Sequence, residues 1–142
     1  MTAKEFLQRF LILQRNVDNR LEQIAKLQST AQRTTSVIRD TPIGKAHDVS
    51  RVENSVVDIQ GITAELADDI TRALDARNEI AETISHVKNA DERYLLELRY
   101  ICLDSWETIA KRMNFSLDHV FTLHRQALKK IVFPTNLTVN NS

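Results

Sequence analysis

Apolar residues recur at spacings of three and four along nearly the whole chain, in two long stretches and three short ones. The long stretches cover residues 3–39 and 49–88. In the first, Arg20 and Thr34 occupy two positions of an otherwise apolar series. Such spacing places side chains on one face of an α-helix. The pattern therefore predicts two long helices with heptad-like seams. The first seam consists of Phe6, Phe10, Leu13, Val17, Ile24, Leu27, Ala31 and Ile38.

The two stretches are separated by residues 40–48, which contain Thr41-Pro42-Ile43-Gly44. Proline removes a backbone donor and restricts the preceding residue, so this segment is predicted to be a loop that reverses the chain. The two helices are therefore expected to pack as a long antiparallel, coiled-coil-like hairpin over residues 1–88. Gly61 lies in the second stretch. It either admits another helix closely or is a tolerated weak point that costs about 1 kcal/mol relative to alanine.

A hairpin of two helices covers only one face of each helix. Leu7, Leu11 and Leu21 widen the apolar stripe of the first helix beyond a strict seam. A stripe of that width suits contact with more than one neighbouring helix. The hairpin is therefore predicted to form a homodimer.

Residues 91–131 contain the three short periodic stretches. They predict helices over 92–102, over 106–113 and from Leu117 onward, and Ser105 or Asp104, and then Ser116, suit the N-cap positions. Between the last two helices, Asn114 suits a left-handed backbone and Phe115 is expected to fill the angle of the turn. Two short helices joined by about three residues are typical of a helix-turn-helix, whose second helix enters the DNA major groove.

The residues LLELRY, SWETIAKRM, NFS and V-x-x-L-x-x-x-A-L-K-K-I over this stretch resemble region 4, the last DNA-binding domain of bacterial sigma-70 factors. With the upstream helices, the chain resembles small sigma-like regulators of phages and prophages of Gram-positive bacteria, related to late-gene activators of the ArpU and RinA type. The resemblance implies an all-α protein with a helix-turn-helix domain over residues 89–133. The tail over 134–142 is mostly polar and is expected to be disordered. The resemblance also implies a sequence-specific transcription regulator in the bacterial cytoplasm, with double-stranded DNA and RNA polymerase as candidate partners.

Formal net charge is zero, with 19 basic and 19 acidic residues, so DNA binding would need a local basic patch or a dimer. Residues 88–133 carry eight basic against six acidic side chains, a net charge of +2. The single cysteine, Cys102, excludes an internal disulfide and is expected to be a buried thiol. No signal peptide or apolar run of about 18 residues is present, which predicts no membrane contact.

Enzymatic chemistry has no residue pattern behind it, so neither a catalytic site nor a metal or cofactor is predicted. No glycine-rich phosphate loop is present. His119 and His124 are five residues apart, which does not place them on one helix face as a zinc pair requires. Asp68 and Asp69 are adjacent, so their side chains diverge, and both are expected to be solvated surface.

The helix from Leu117 is the predicted reading helix, with Asp118, His119, Thr122 and Arg125 on its polar face. Phosphate contacts are expected from Lys111, Arg112 and Lys129, and from free amides at the helix start near Ser105 and Trp106. Trp106 is also expected to be largely buried between the three helices. The full set of predicted DNA-contacting residues is Ser105, Trp106, Lys111, Arg112, Ser116, Leu117, Asp118, His119, Phe121, Thr122, Arg125 and Lys129.

Leu117 and Phe121 depart from the sigma pattern, in which these positions are usually basic. They suit either a thymine methyl group or a protein partner. The alternative function is therefore a docking module that binds RNA polymerase or a host regulator without contacting DNA. Salt-dependent binding to random duplex DNA is expected only of the first function.

Overall fold

The computed structural model describes residues 1–40 and 46–134, except for the side chains of residues 31, 34–40 and 46–57. Within these ranges the chain is all-helical, which confirms the predicted class. The loop predicted over residues 40–48 is shorter, because Asp40 still belongs to the first long helix and residues 46–48 to the second. Residues 41–45 and the tail residues 135–142 lie outside the described part, as do the side chains of Ala31 and Ile38. The five helices are α1 (Ala3–Asp40), α2 (Ala46–Ser85), α3 (Ala90–Tyr100), α4 (Trp106–Met113) and α5 (Leu117–Lys129).

The chain divides into two compact units. The first consists of Met1–Ile12 and Arg72–Ser142, and the second is Leu13–Thr71. Both long helices therefore contribute to both units, and each unit is described by itself.

The core of the first unit is built from all five helices, because the first turns of α1 and the last turns of α2 share it with α3, α4 and α5. The three short helices pack against one another. Phe6 stacks on Phe133, with 5.4 Å between ring centroids. α5 ends at Lys129, so Phe133 lies beyond the last helix. The largest fully buried side chains are Phe6, Leu7, Ile80, Ile84, Leu95, Leu96, Ile109 and Val120.

In the second unit, Arg20 joins α1 to α2 through two carboxylates. Its Nη1 pairs with Glu65 and its Nε with Asp69. Hydrogen bonding to Asp69 raises the pKa of Arg20 above its ordinary value. Asp69 is only 7% exposed, whereas Asp68 is exposed. The prediction of two solvated aspartates was therefore wrong for Asp69, because Arg20, which interrupts the apolar seam of α1, provides this buried carboxylate with an ion-pair partner.

Gly61 borders an open groove in the second unit, together with the apolar side chains of Leu27 and Ile62. A Cβ atom added at Gly61 would meet no atom within 4 Å among the described residues. Within the described part of the chain, no other helix therefore makes the close approach that glycine would permit.

Three polar side chains begin the short helices of the first unit. The Asn89 side chain accepts from the Glu92 amide, Ser105 from Thr108, and Ser116 from His119. The serine caps agree with the sequence prediction, and for α4 the choice falls on Ser105. Residues 89–91 were expected to form a junction between helices, but Asn89 instead caps α3, which begins at the next residue. The asparagine side chain satisfies a helix-end donor and so starts the helix there.

The burial prediction for Cys102 is wrong. Cys102 is exposed, since it follows the end of α3, where helical spacing no longer determines which side chain faces inward. Leu103 next to it has a positive φ of 59°, which reverses the chain before α4. Trp106, which was predicted to be largely buried, is the first residue of α4 and has intermediate exposure.

Candidate functional site

The connection between α4 and α5 is a tight turn with defined backbone geometry. Asn114 has the predicted left-handed conformation, with φ 59° and ψ 42°. The Phe115 amide donates to the carbonyl of Ala110 at 3.0 Å. The Ser116 hydroxyl then accepts from the His119 amide at 3.2 Å, which begins α5. Because both helix ends are hydrogen-bonded, the direction of α5 is fixed relative to α4. Phe115 is partly buried, and its ring meets His119 edge-on at 4.4 Å.

The outward face of α5 begins immediately after this turn. The inward face consists of Val120, Leu123, Ala127 and also His124, all buried. The Arg125 side chain donates from Nη2 to the Thr122 hydroxyl at 3.2 Å, so these two groups lie together on the surface. Every residue predicted for the polar face of α5 is exposed: Asp118, His119, Thr122, Arg125 and Lys129.

The predicted contact residues of α4 differ in whether their polar groups already have partners within the protein. Lys111 and Arg112 are exposed. The Arg112 Nε lies 3.4 Å from Asp104 Oδ2, so part of its charge is already compensated. The Ser105 hydroxyl bonds to the Thr108 amide at 3.2 Å and to the Thr108 hydroxyl at 2.9 Å. Ser105 is thus exposed, but its hydroxyl is already engaged in capping α4.

Trp106, the first residue of α4, contacts side chains of the other two short helices. Its ring meets Phe121 at 5.4 Å and His124 at 4.7 Å, both edge-on. The guanidinium carbon of Arg99 lies 4.3 Å from the ring centroid, within the range of a cation–π interaction. Arg99 also donates to the Asp104 carbonyl at 3.0 Å. Trp106 consequently connects α3 to α5 beside the exposed face of α5.

A buried tyrosine–histidine pair lies beneath Trp106 and was not anticipated. The Tyr100 hydroxyl is 2.6 Å from His124 Nε2. Burial raises the pKa of Tyr100 to about 12. Burial, and then the charges of Lys4, Arg99 and Arg125, lower the pKa of His124 to about 4. Both groups are therefore neutral near pH 7, and which of them donates the hydrogen bond depends on the tautomer of the imidazole.

A second unanticipated pair joins the start of α3 to the end of α5. Lys130 Nζ lies 2.8 Å from Glu92 Oε1, and Glu92 is only 2% exposed. The other carboxylate oxygen, Oε2, has no hydrogen-bond partner among the described residues. The sequence does contain a signal for Glu92, because it lies three residues after Asn89, where a glutamate suits the start of a helix. The burial of Glu92 is a tertiary property and has no such signal.

Comparison with protein families gives one match, to a model described as "Protein of unknown function (DUF1492)", over residues 44–132. The match covers more than half of the chain. The chain belongs to this family. The matched range contains α2 and all three short helices, and so the whole α4–turn–α5 arrangement, in the DUF1492 protein. Comparisons with curated proteins and with solved structures returned no match.

Among the described residues, no group of three or more histidine, cysteine, aspartate or glutamate side chains is arranged to hold a metal ion. None of the helices in the described ranges has the length and apolar character needed to cross a membrane.

Proposed function

We propose that this DUF1492 protein is a sequence-specific DNA-binding transcription regulator of phage type, similar to sigma region 4, with α5 as its reading helix. The observation that carries the proposal is the capped α4–turn–α5 unit, which leaves one face of the first two turns of α5 exposed. Residues at the start of a recognition helix contact base edges. The Asn114 backbone and the Ser116 cap provide the tight turn that such a unit requires.

The exposed side chains divide into two kinds of DNA contact. Asp118, His119, Thr122 and Arg125 are proposed to meet base edges, since their donors and acceptors match those of the major groove. The basic side chains of α4, together with Lys129, are proposed to contact phosphates. Phosphate contacts give orientation and affinity but little sequence information.

The finer architecture is proposed to be a long antiparallel hairpin followed by this helix-turn-helix. Contacts within the second unit support the direction of the hairpin. Arg20 pairs with Glu65 and Asp69, whereas Leu27, further along α1, shares a groove with Asp58, which comes earlier in α2. Residues further along α1 thus lie near residues earlier in α2, as in a pair of antiparallel helices.

A homodimer through the hairpins is proposed because apolar side chains remain uncovered. Leu21 and Ile70 are exposed in the second unit, as is Leu74 in the first. Leu21→Glu and Leu74→Glu should then give monomers that retain the helical spectrum. A native wild-type mass near the chain mass of 16.3 kDa at micromolar concentration would refute the dimer.

The test of DNA binding is affinity for duplex DNA measured over a range of salt concentrations with the full chain. Arg125→Ala should weaken binding to the preferred sequence by about 1–3 kcal/mol if it contacts a base. Lys129→Ala should weaken binding to preferred and random duplexes equally and lower the salt slope by about one unit. Lys88→Ala is the matched control, an exposed lysine outside α4 and α5. If neither α5 variant differs from this control, α5 does not read DNA.

The second candidate function is protein docking, and the exposure of Leu117 and Phe121 favours it. These side chains are 40% and 37% exposed on the same helix. In that case RNA polymerase or a host regulator would bind α5 directly, and the protein would show no salt-dependent affinity for random DNA. The two functions are therefore separated by the same titration.

A further inference from the structure

Leu117 and Phe121 are exposed apolar side chains within the most polar part of α5. They are the first and fifth residues of the helix, so they lie on neighbouring turns of one face. Asp118 follows Leu117, Thr122 follows Phe121, and both are also exposed. The surface of these two turns is thus half apolar and half hydrogen-bonding.

The Phe121 ring packs against a second aromatic ring, that of Trp106. It meets the Trp106 ring at 5.4 Å with an interplanar angle of 72°. The guanidinium of Arg99 covers the Trp106 ring in turn. Packing of this kind restricts the rotamer of a side chain and so reduces the entropy lost when it binds a ligand. Phe121 therefore presents a positioned apolar edge beside the hydrogen-bonding groups of α5.

We propose that Leu117 and Phe121 select thymine by contact with its C5 methyl group, an inference that rests on the DNA-binding function proposed above. Among the bases, thymine alone presents a methyl group in the major groove, and apolar side chains are its recognised partners. The first and fifth residues of a helix are about 6 Å apart along its axis. That length corresponds to about two base-pair steps of about 3.4 Å each, so the two side chains read nearby thymines.

The charge around this face favours DNA as the occupant over an apolar protein surface. Arg125, on the turn after Phe121, is exposed, and so are Lys111 and Arg112 on the neighbouring helix. Exposed basic groups beside a small apolar pair complement a duplex, whose phosphates flank the methyl groups of the groove. A protein partner that covered Leu117 and Phe121 would also have to cover the charged Asp118 and Arg125 between and beside them.

The experiment compares thymine with deoxyuridine, which lacks only the methyl group and keeps the base-pairing and groove acceptors of thymine. The full-length protein first selects its preferred sequence from a random duplex pool, and each thymine of that sequence is then replaced singly. We expect one or two replacements to weaken wild-type binding about fourfold each, from the burial of one carbon group at about 0.8 kcal/mol. All other replacements should have no effect.

Variants then assign each methyl group to its side chain. Leu117→Ala should lose the discrimination at one position and Phe121→Ala at the other, so that the two duplexes bind equally there. The controls are Tyr94→Ala, an exposed aromatic residue on α3, and Val132→Ala, an exposed aliphatic residue beyond α5. Both controls should discriminate as the wild type does. Because the decisive change is in the DNA, a variant that folds poorly leaves the wild-type comparison intact.

The outcomes separate this inference from the function on which it rests. Absence of salt-dependent binding to any duplex overturns both. Salt-dependent binding with a preferred sequence in which no deoxyuridine replacement matters overturns only the thymine-reading role. Salt-dependent binding without a preferred sequence overturns both that role and the sequence specificity of the proposed function. The role is also overturned if Leu117→Ala and Phe121→Ala keep full discrimination while abolishing the association with RNA polymerase, since the two side chains would then contact protein.

Discussion

Protonation of His124 should destabilise the first unit, because the folded state surrounds this side chain with groups that disfavour its charge. His124 is 7% exposed, bonded to the Tyr100 hydroxyl at 2.6 Å and in edge-on contact with the Trp106 ring. A charged imidazole there would lose water on burial, and the cationic side chains of Lys4, Arg99 and Arg125 oppose it as well. The perturbation is therefore a decrease in pH below neutrality.

The magnitude follows from the difference between the two pKa values. In the unfolded chain His124 takes up a proton near 6.5, whereas folding lowers its pKa to about 4. Between these pH values the unfolded state binds more protons, so stability decreases as the pH falls through this window and is fully present above it. At about 1.4 kcal/mol per pKa unit the upper limit is about 3 kcal/mol. Solvent near the ring reduces the expected loss to about 2 kcal/mol.

The assay is urea unfolding followed by the fluorescence of Trp106, the only tryptophan in the chain, at pH values from 7.5 to about 4. His124→Phe should flatten the pH dependence of the unfolding free energy relative to wild type. Tyr100→Phe should cost about 1–3 kcal/mol at neutral pH, since the buried imidazole nitrogen loses its hydrogen-bond partner. Tyr94→Phe removes an exposed hydroxyl and is the control. If wild type and His124→Phe lose stability in parallel as the pH falls, the reasoning about this pair is refuted.

Three further predictions concern stability measured by denaturant unfolding. Asn114→Ala should cost about 1 kcal/mol because of its left-handed backbone, whereas Asn114→Gly should be close to neutral; equal effects would contradict this account. Lys130→Ala should cost about 1–3 kcal/mol by leaving the Glu92 carboxylate buried and unpaired, and adding Glu92→Gln should recover part of the loss. Arg20→Leu should destabilise the second unit, and adding Asp69→Leu should restore stability; no recovery would argue against a buried-charge penalty.

Local features of the helix ends could be predicted from the sequence because they depend on neighbouring residues. Ser105 and Ser116 cap their helices as predicted, and α4 has the predicted limits, Trp106 to Met113. Asn114 adopts the predicted left-handed conformation. A cap requires only a side-chain oxygen two or three residues before a free amide, and a helix end requires only a residue that tolerates positive φ. These requirements are met within a few residues of sequence.

The candidate surface on α5 was accessible to sequence analysis for a similar reason. Once the helix and its apolar face are set, helical spacing alone places the remaining side chains outward. Asp118, Thr122 and Arg125 are accordingly exposed. Whether this surface binds DNA depends on a partner, so it remains a prediction.

Only the tertiary structure decided which polar side chains are buried and what each one contacts. Asp69 and Glu92 read as surface acids, yet Arg20 and Lys130 reach them from helices that are distant in sequence. Because His124 lies four residues after the buried Val120, helical spacing indicates that it faces inward. The sequence does not indicate that Tyr100 is its partner. Helical periodicity gives the direction of a side chain relative to its own helix. The neighbour it meets, and hence the free energy of burying its charge, depends on how separate helices pack.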